Sequence, residues 1–154
     1  NHGIKYTERR AITRENMLAC REIWTNEEAQ FSGEHVNFDS SWSWPKPVQP
    51  GGPKVILGGA AGPKTIKDIV EFCDGWMPIS GRHDLAGPIQ EVRQAAEDAG
   101  RDPAEIEFGQ FGTPGKRDVL ESLEEAGLSR AVLWVPPEGP DTVLPLLDSY
   151  TELL

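Results

Sequence analysis

Residues 54–64 say most about the fold, and this stretch reads Lys54-Val55-Ile56-Leu57-Gly58-Gly59-Ala60-Ala61-Gly62-Pro63-Lys64. Three apolar residues lead into a glycine-rich turn, and the turn leads into a helical pattern that opens with proline. This order predicts a strand, a tight loop and a helix. Glycines let the backbone approach a ligand closely, and the next helix offers free N–H groups, so the loop is a candidate phosphate site. The competing interpretation is an ordinary turn.

The chain after this stretch repeats the alternation of strand and helix. Apolar periodicity predicts helices that begin near Pro63, after an N-cap at Asp84, near Lys116 and near Asp141. Strands that alternate with helices indicate right-handed βαβ units and a parallel sheet. The predicted strands are residues 55–57, 74–79, 106–111 and 131–135, and the predicted helices are residues 63–73, 85–99, 116–126 and 141–154.

Residues 1–53 have a different texture. Thr7 is a candidate N-cap for a helix that ends near Trp24. Residues 31–53 are rich in Gly, Ser and Pro, and each proline removes a backbone donor, so a long loop is predicted there. Such a loop is usually functional or packed by its own side chains, and its apolar residues fit either packing on the protein body or lining a substrate pocket. These residues are Phe31, Val36, Phe38, Trp42 and Trp44.

Composition narrows the class of protein. The 154 residues, 38% hydrophobic and 26% charged, fit one globular domain, and the net charge of −10 argues against nucleic acid or anionic lipid as a partner. No long apolar run or signal peptide is visible, so we expect a cytoplasmic protein without a membrane partner. Cys20 and Cys73 fit small buried residues better than a disulfide. The three histidines lack ligand spacing, so no metal site is predicted.

Two further features concern the extent of the fold. The chain begins at Asn1 without a methionine, almost within a helical pattern, which is typical of a fragment or a processed protein. Four βα units fit either a small doubly wound open sheet or half of an eight-unit barrel, which needs about 250 residues. Periodicity alone slightly favours the open sheet.

A series of motifs runs through nearly the whole chain. They are His2-Gly3, Arg14-Glu15, Arg21-Glu22-Ile23-Trp24-Thr25, Phe31-Ser32-Gly33-Glu34, Trp42-Ser43-Trp44-Pro45-Lys46-Pro47-Val48-Gln49-Pro50, Ile56-Leu57-Gly58-Gly59, Asp74-Gly75-Trp76-Met77-Pro78 and Ala99-Gly100-Arg101-Asp102-Pro103. In this order they resemble the C-terminal half of the luciferase-like monooxygenase family, most closely the subgroup that uses the deazaflavin coenzyme F420. The resemblance implies an α/β fold, the C-terminal half of a (β/α)8 TIM barrel, as a single partial domain over residues 1–154. The four βα units of residues 54–154 would be barrel units five to eight.

The resemblance also implies a function. Family members transfer hydride through a reduced deazaflavin (F420) or flavin mononucleotide (FMN), sometimes followed by oxygen chemistry. The cofactor phosphate would lie on the glycine loop, while the ring pocket and any acid or base would lie on the absent half, so no catalytic residue is predicted here. The predicted cofactor-binding residues are Gly58, Gly59, Ala60, Ala61, Gly62, Lys64, Thr65, Asp74, Gly75 and Trp76.

Several of these residues have a structural alternative. Lys64 fits a solvated surface cation, Thr65 fits a residue at a helix start, and Asp74 fits a backbone hydrogen bond better than a general base. Gln110 is a further candidate for the pocket. Arg82, His83 and Asp84 form a small polar cluster in the sequence.

Half a barrel would leave strand edges and apolar surface uncovered. Four parallel strands leave two open edges and an apolar inner face, so we expect a homodimer, a missing N-terminal half supplied by another chain, or a rearranged open sheet. The inner face is expected to include some of Val55, Leu57, Phe108, Val132 and Trp134. The alternative function is a non-catalytic truncated half-barrel that self-associates. If the resemblance is accidental, a small regulatory or sugar-binding domain remains.

Overall fold

The structure is a computed structural model that describes residues 3–81 and 85–153. The chain forms two compact units that divide between Lys54 and Val55. Among the described residues, no helix combines the length and the apolar character that a membrane crossing requires. Cys20 and Cys73 form no disulfide within the described residues.

The first unit contains one helix and a β-hairpin. Helix α1 covers Arg9–Thr25, and strands β1 (Glu28–Ser32) and β2 (Asn37–Trp42) pair antiparallel. The predicted cap at Thr7 is wrong, because Glu8 precedes the helix and no side chain of the described residues caps it.

The hairpin corrects the prediction that residues 31–53 form one long loop. Phe31 lies opposite Phe38, with ring centroids 6.4 Å apart, and the Gly33 N–H closes the turn on the Val36 carbonyl at 2.9 Å. This cross-strand pair overrides the weak strand preference of the surrounding Ser, Asn and Asp residues. Residues 43–53 lack regular strands, but the Lys46 ammonium donates to the Ile23 carbonyl at 2.6 Å, near the end of α1.

A buried carboxylate of α1 holds the hairpin turn. Glu15 accepts the backbone N–H groups of Glu34, His35 and Val36 at 3.1, 2.7 and 2.9 Å. The bond from His35 is the largest effect that lowers the pKa of Glu15; the other two N–H groups act in the same direction, while burial opposes them.

Replacing Glu15 with glutamine is expected to loosen this turn in a pH-dependent way. Because the folded-state pKa lies below the ordinary value of 4.5, the stabilisation is present above pH 4.5 and disappears as the pH falls through the lowered pKa. Amide hydrogen exchange at His35 and Val36 should be faster in Glu15→Gln at pH 7, and the difference from wild type should shrink in acid. A difference that grows in acid would contradict the assignment.

The second unit is a series of parallel βα units. Its strands are β3 (Ile56–Leu57), β4 (Gly75–Trp76), β5 (Glu107–Thr113) and β6 (Arg130–Leu133). Its helices are α2 (Pro63–Phe72), α3 (Ala86–Asp98), α4 (Arg117–Glu125) and α5 (Pro140–Thr151), with a 3-10 turn at Pro103–Glu105. The predicted alternation is confirmed, although β3 and β4 are only two residues long.

The order of the strands distinguishes a barrel segment from a doubly wound sheet. The strands lie in the sequence β3-β4-β5-β6, and every neighbouring pair is parallel. A doubly wound sheet reverses its order at a switch point, whereas the strands of a barrel follow one another in chain order. The sheet is therefore built as a segment of a barrel.

The helices cover one face of the sheet. Leu57, Trp76 and Phe108 share one row across β3, β4 and β5, and they pack with a cluster that α2 and α3 supply. The members from these helices include Ile69, Ile89, Val92 and Ala96. Of the five candidates for the inner face, Leu57 and Phe108 face the helices instead, because the register places both beside the buried Trp76.

The opposite face is open over part of its area. Glu107 and Arg130 form an ion pair at 2.6 Å near the amino ends of β5 and β6. Toward the carboxyl ends, Ile79 bridges Phe111, and Phe111 lies opposite Val132. We call Ile79, Phe111 and Val132 the open face; the first two are 47% and 53% exposed. Trp134, which directly follows β6, is also exposed.

Candidate functional site

The glycine loop, residues 58–62, lies at the carboxyl end of β3 and leads directly into α2. Gly58, Gly59 and Ala60 are exposed, while Ala61 and Gly62 are half-buried. Gly59 has a φ of +93°, a conformation that residues with a side chain rarely adopt. The predicted loop residues therefore come together at one accessible turn.

The backbone of this turn presents hydrogen-bond donors. The Thr65 and Ile66 N–H groups are used on the Gly62 carbonyl, at 2.8 and 3.0 Å, and Pro63 has no N–H. The N–H groups of Gly59, Ala60 and Lys64 donate to no other described residue. Exposed donors at the positive end of a ten-residue helix make an anion-binding arrangement.

The two predicted polar side chains in the first turn of α2, Lys64 and Thr65, differ in exposure. Lys64 is exposed beside the loop, where its charge favours an anion. Thr65 is buried, so it is less accessible to a ligand than Lys64. The lysine is therefore the better candidate for side-chain contact with a phosphate.

Asp74, Gly75 and Trp76 lie in the sheet instead of on the exposed loop. Asp74 Oδ2 accepts the Val55 N–H at 2.6 Å, which is the backbone role that the sequence suggested. A Cβ at Gly75 would collide with the Glu107 carbonyl oxygen, so this glycine permits close strand packing. Trp76 is 1% exposed, and its indole N–H donates to the Gly59 carbonyl at 2.8 Å. Trp76 therefore contacts the loop from the sheet, whereas Asp74 and Gly75 contribute to strand pairing and packing.

The remaining predicted residues do not extend the site. Gln110 is buried and accepts the Thr113 hydroxyl at 3.1 Å, on the sheet face that also carries Phe108, so the structure does not place it in an open pocket. The predicted polar cluster, Arg82, His83 and Asp84, lies outside the described residues. Within residues 3–81 and 85–153, no group of three or more His, Cys, Asp or Glu side chains is arranged to hold a metal ion.

The bond between Trp76 and Gly59 is the feature that sequence reasoning missed. The motif Asp74-Gly75-Trp76 indicated a place near the cofactor, but the direction of the indole N–H depends on the packing of β4 against β3 and α2. The only local signal was a tryptophan in a short buried strand, since a buried indole N–H needs an acceptor.

The chain matches a protein-family model and curated relatives over most of its length. The profile of the luciferase-like monooxygenase family matches residues 1–140. An uncharacterized protein of Mycobacterium tuberculosis strain H37Rv is 35% identical over 143 residues, which are 92% of this chain and 49% of that protein. The phthiodiolone/phenolphthiodiolone dimycocerosates ketoreductase of the same strain is 28% identical over 147 residues, 90% of this chain and 38% of that enzyme. The chain thus spans about half the length, or less, of these relatives.

Solved structures share the fold. Monooxygenase RslO1 from Streptomyces bottropensis aligns with a TM-score of 0.78 at 16% identity, covering 98% of this chain and 62% of that one. An F420-dependent secondary alcohol dehydrogenase gives 0.72 with the same identity and coverage. Coenzyme F420-dependent tetrahydromethanopterin reductase from Methanopyrus kandleri gives 0.61 at 14% identity, covering 89% and 60%. The predicted partial barrel is confirmed, and the chain belongs to the luciferase-like monooxygenase family.

Proposed function

We propose that this chain is the cofactor-phosphate part of an oxidoreductase that uses a reduced deazaflavin (F420) or FMN for hydride transfer or monooxygenation. The observation that carries the proposal is the exposed glycine loop before α2, whose N–H donors at Gly59, Ala60 and Lys64 bond to no other described residue. In luciferase-like barrels, as in other (β/α)8 barrels, ligands bind at the carboxyl ends of the strands, which is where this loop lies.

The residues present fit a phosphate. The N–H groups of Gly59, Ala60 and Lys64 are neutral donors that stay directed at an anion without moving a side chain. Lys64 adds a positive charge to an otherwise acidic chain, whose net charge is −10. When bound, the cofactor supplies the hydride chemistry, and the task of these residues is to hold its phosphate and so orient the rest of the molecule.

F420 is the first candidate cofactor and FMN the alternative. Two of the structures with this fold are F420-dependent enzymes by name, and a third is a monooxygenase. The ketoreductase relative supports a redox reaction on an organic substrate. We assign no catalytic residue to this chain, because the glycine loop provides donors for an anion but no acid or base at a reacting atom.

Fluorescence titration of the full chain with F420 and with FMN tests the proposal. Saturable binding at tens of micromolar or below, competed by inorganic phosphate, would support it. Absence of binding by both cofactors at that concentration would remove the cofactor role from this chain. Tighter binding of one cofactor would decide between F420 and FMN.

Removing the charge of Lys64 is expected to weaken cofactor binding about twofold, because an exposed cation near a phosphate contributes about 0.5 kcal/mol after solvent screening. The titration above, repeated with Lys64→Ala at low and high salt, measures this effect, and the loss should shrink at high salt. Lys67→Ala is the matched control, since Lys67 is exposed on the same helix beyond its first turn. An equal loss in both variants would indicate a general charge effect.

A second candidate function is favoured by the open face. We propose that a second copy of the chain, or an N-terminal half-barrel from another chain, covers Ile79, Phe111 and Val132. The exposed apolar side chains and the parallel strand edges support this association. In its extreme form, the chain is a non-catalytic truncated half-barrel with a structural role.

Sedimentation velocity at micromolar concentration is expected to show self-association of the isolated chain. A charge buried in an apolar contact is costly, so Phe111→Glu should shift the chain toward monomer by tenfold or more in the dissociation constant. Leu144→Glu places the same charge at an exposed position on α5 and should leave association unchanged. A stable wild-type monomer would contradict the proposal of a homodimer.

A further inference from the structure

We infer that Trp76 is a positioning residue of the glycine loop and not a cofactor contact: its indole N–H fixes the direction in which the Ala60 N–H points. This inference deepens the proposed function and rests on it. It assigns Trp76, which lies beneath the loop, a role in recognising the phosphate of a deazaflavin or flavin.

The indole is held rigidly. Trp76 lies in β4 between Leu57 of β3 and Phe108 of β5, and it is 1% exposed within the core that α2 and α3 cover. A side chain packed on all sides does not exchange rotamers freely. Its N–H reaches the Gly59 carbonyl oxygen at 2.8 Å, across 17 residues of sequence. The loop is therefore attached to the core through this bond.

The planar peptide bond couples the direction of the Gly59 carbonyl to the direction of the Ala60 N–H. The Gly59 carbonyl and the Ala60 N–H belong to one planar trans peptide, so they point in opposite directions. Because the carbonyl points toward the buried indole, the Ala60 N–H points away from it. Ala60 is exposed, and its N–H donates to no other described residue. Because the Gly59 carbonyl is held by the indole, the Ala60 N–H is held pointing outward.

Gly59 and Trp76 act as a pair. The positive φ of Gly59 allows the chain to turn its carbonyl toward the sheet, and no described residue other than its chain neighbours lies within 4 Å of the place a Cβ would occupy. A buried indole N–H without an acceptor is unfavourable, so the core disfavours the flipped peptide. Without the indole donor, the peptide can populate both directions, and the apparent affinity falls with the fraction that points the donor outward.

The test removes the indole N–H donor with two variants. Trp76→Phe keeps an aromatic ring in the core, and Trp76→3-benzothienylalanine keeps the fused ring shape with sulfur in place of N–H, so the second variant resolves any folding defect of the first. Phe108→Leu is the matched control, because it trims the same core row and leaves the indole bond intact. Each protein is titrated with F420 and FMN, and amide exchange is measured at Ala60.

Both Trp76 variants are expected to bind the preferred cofactor about tenfold more weakly, which corresponds to one peptide in ten with the competent orientation. Their Ala60 amide environment should change, whereas Phe108→Leu should keep both the affinity and the Ala60 signal. In a Gly59→Ala background, the additional effect of Trp76→Phe should disappear, because the shared peptide is already displaced.

The outcomes separate the two claims. If the wild-type chain binds a cofactor and both Trp76 variants bind it with an affinity within twofold of wild type, the positioning role is overturned and the proposed function stays intact. Equal losses in Phe108→Leu and Trp76→Phe would also overturn it, since both would then report core stability. Absence of binding by the wild-type chain would overturn the proposed function, and the positioning role with it.

Discussion

Replacing Gly75 with alanine is expected to lower the free energy of unfolding of the second unit by about 3 kcal/mol, toward the upper end of what overpacking costs. Gly75 lies in β4 between β3 and β5. A Cβ there would collide with the Glu107 carbonyl oxygen and lie 2.8 Å from Ile56 Cδ1. The side chain of Ile56 can move, but the Glu107 backbone cannot shift without disturbing the pairing of β4 with β5.

Urea unfolding followed by circular dichroism measures this loss. Gly58→Ala is the control, because a Cβ at Gly58 would meet its nearest atom, the Met77 carbonyl oxygen, at an ordinary 3.8 Å. The comparison also tests the sequence-based assignment of Gly75 to the cofactor site. If Gly75→Ala kept its stability and lost cofactor affinity, Gly75 would be a ligand contact and the packing interpretation would be wrong.

Replacing Gly59 with alanine is expected to weaken cofactor binding by tenfold or more while it lowers stability by only about 1 kcal/mol. No clash is expected, since among the residues that the structure describes only the chain neighbours of Gly59 come within 4 Å of the added Cβ; the cost comes from the φ of +93°. The loop relieves this strain by changing φ at residue 59, and because that torsion precedes the carbonyl, the Gly59–Ala60 peptide turns with it. That rotation moves both the carbonyl that Trp76 binds and the donor offered to a phosphate.

Gly100→Ala provides a control with the same local chemistry. Gly100 follows α3 with a φ of +74°, and no atom lies within 4 Å of a Cβ there either. Its substitution should carry a similar stability loss with no change in the affinity for F420 or FMN. Equal affinity losses at both positions would show that general destabilisation, and not the loop conformation, limits binding.

Regular periodicity made the second unit predictable. Helix α2 was predicted from Pro63 to Cys73 and runs to Phe72, because proline suits the first turn and the apolar stripe continues into the core. The hairpin of residues 28–42 was not predicted. Its pairing depends on the contact of Phe31 with Phe38 and on the Glu15 carboxylate, which is far away in the sequence.

The candidate site was predictable only in part. The position of the glycine loop after a buried strand followed from local sequence, as did the backbone role of Asp74. Gly75 and Trp76 were assigned to ligand contact because their motif indicated a place near the cofactor, and Gln110 to a pocket because it lies near the end of a predicted strand. Neither position in the sequence shows whether a side chain is exposed. Whether a side chain of β4 or β5 is exposed depends on which face of the sheet it lies on, and the strand register determines that face.

Local propensity, periodicity and motif order were enough to predict the order of elements, the parallel βα series, the location of the glycine loop and the family. The side of each strand that faces the helices, and the residue beneath Gly59, became visible in the folded chain alone. Those features depend on contacts between distant residues, such as the 2.8 Å bond from Trp76, whose direction no local pattern encodes. The glycine loop is thus a local feature whose outward donors are set by the core below it.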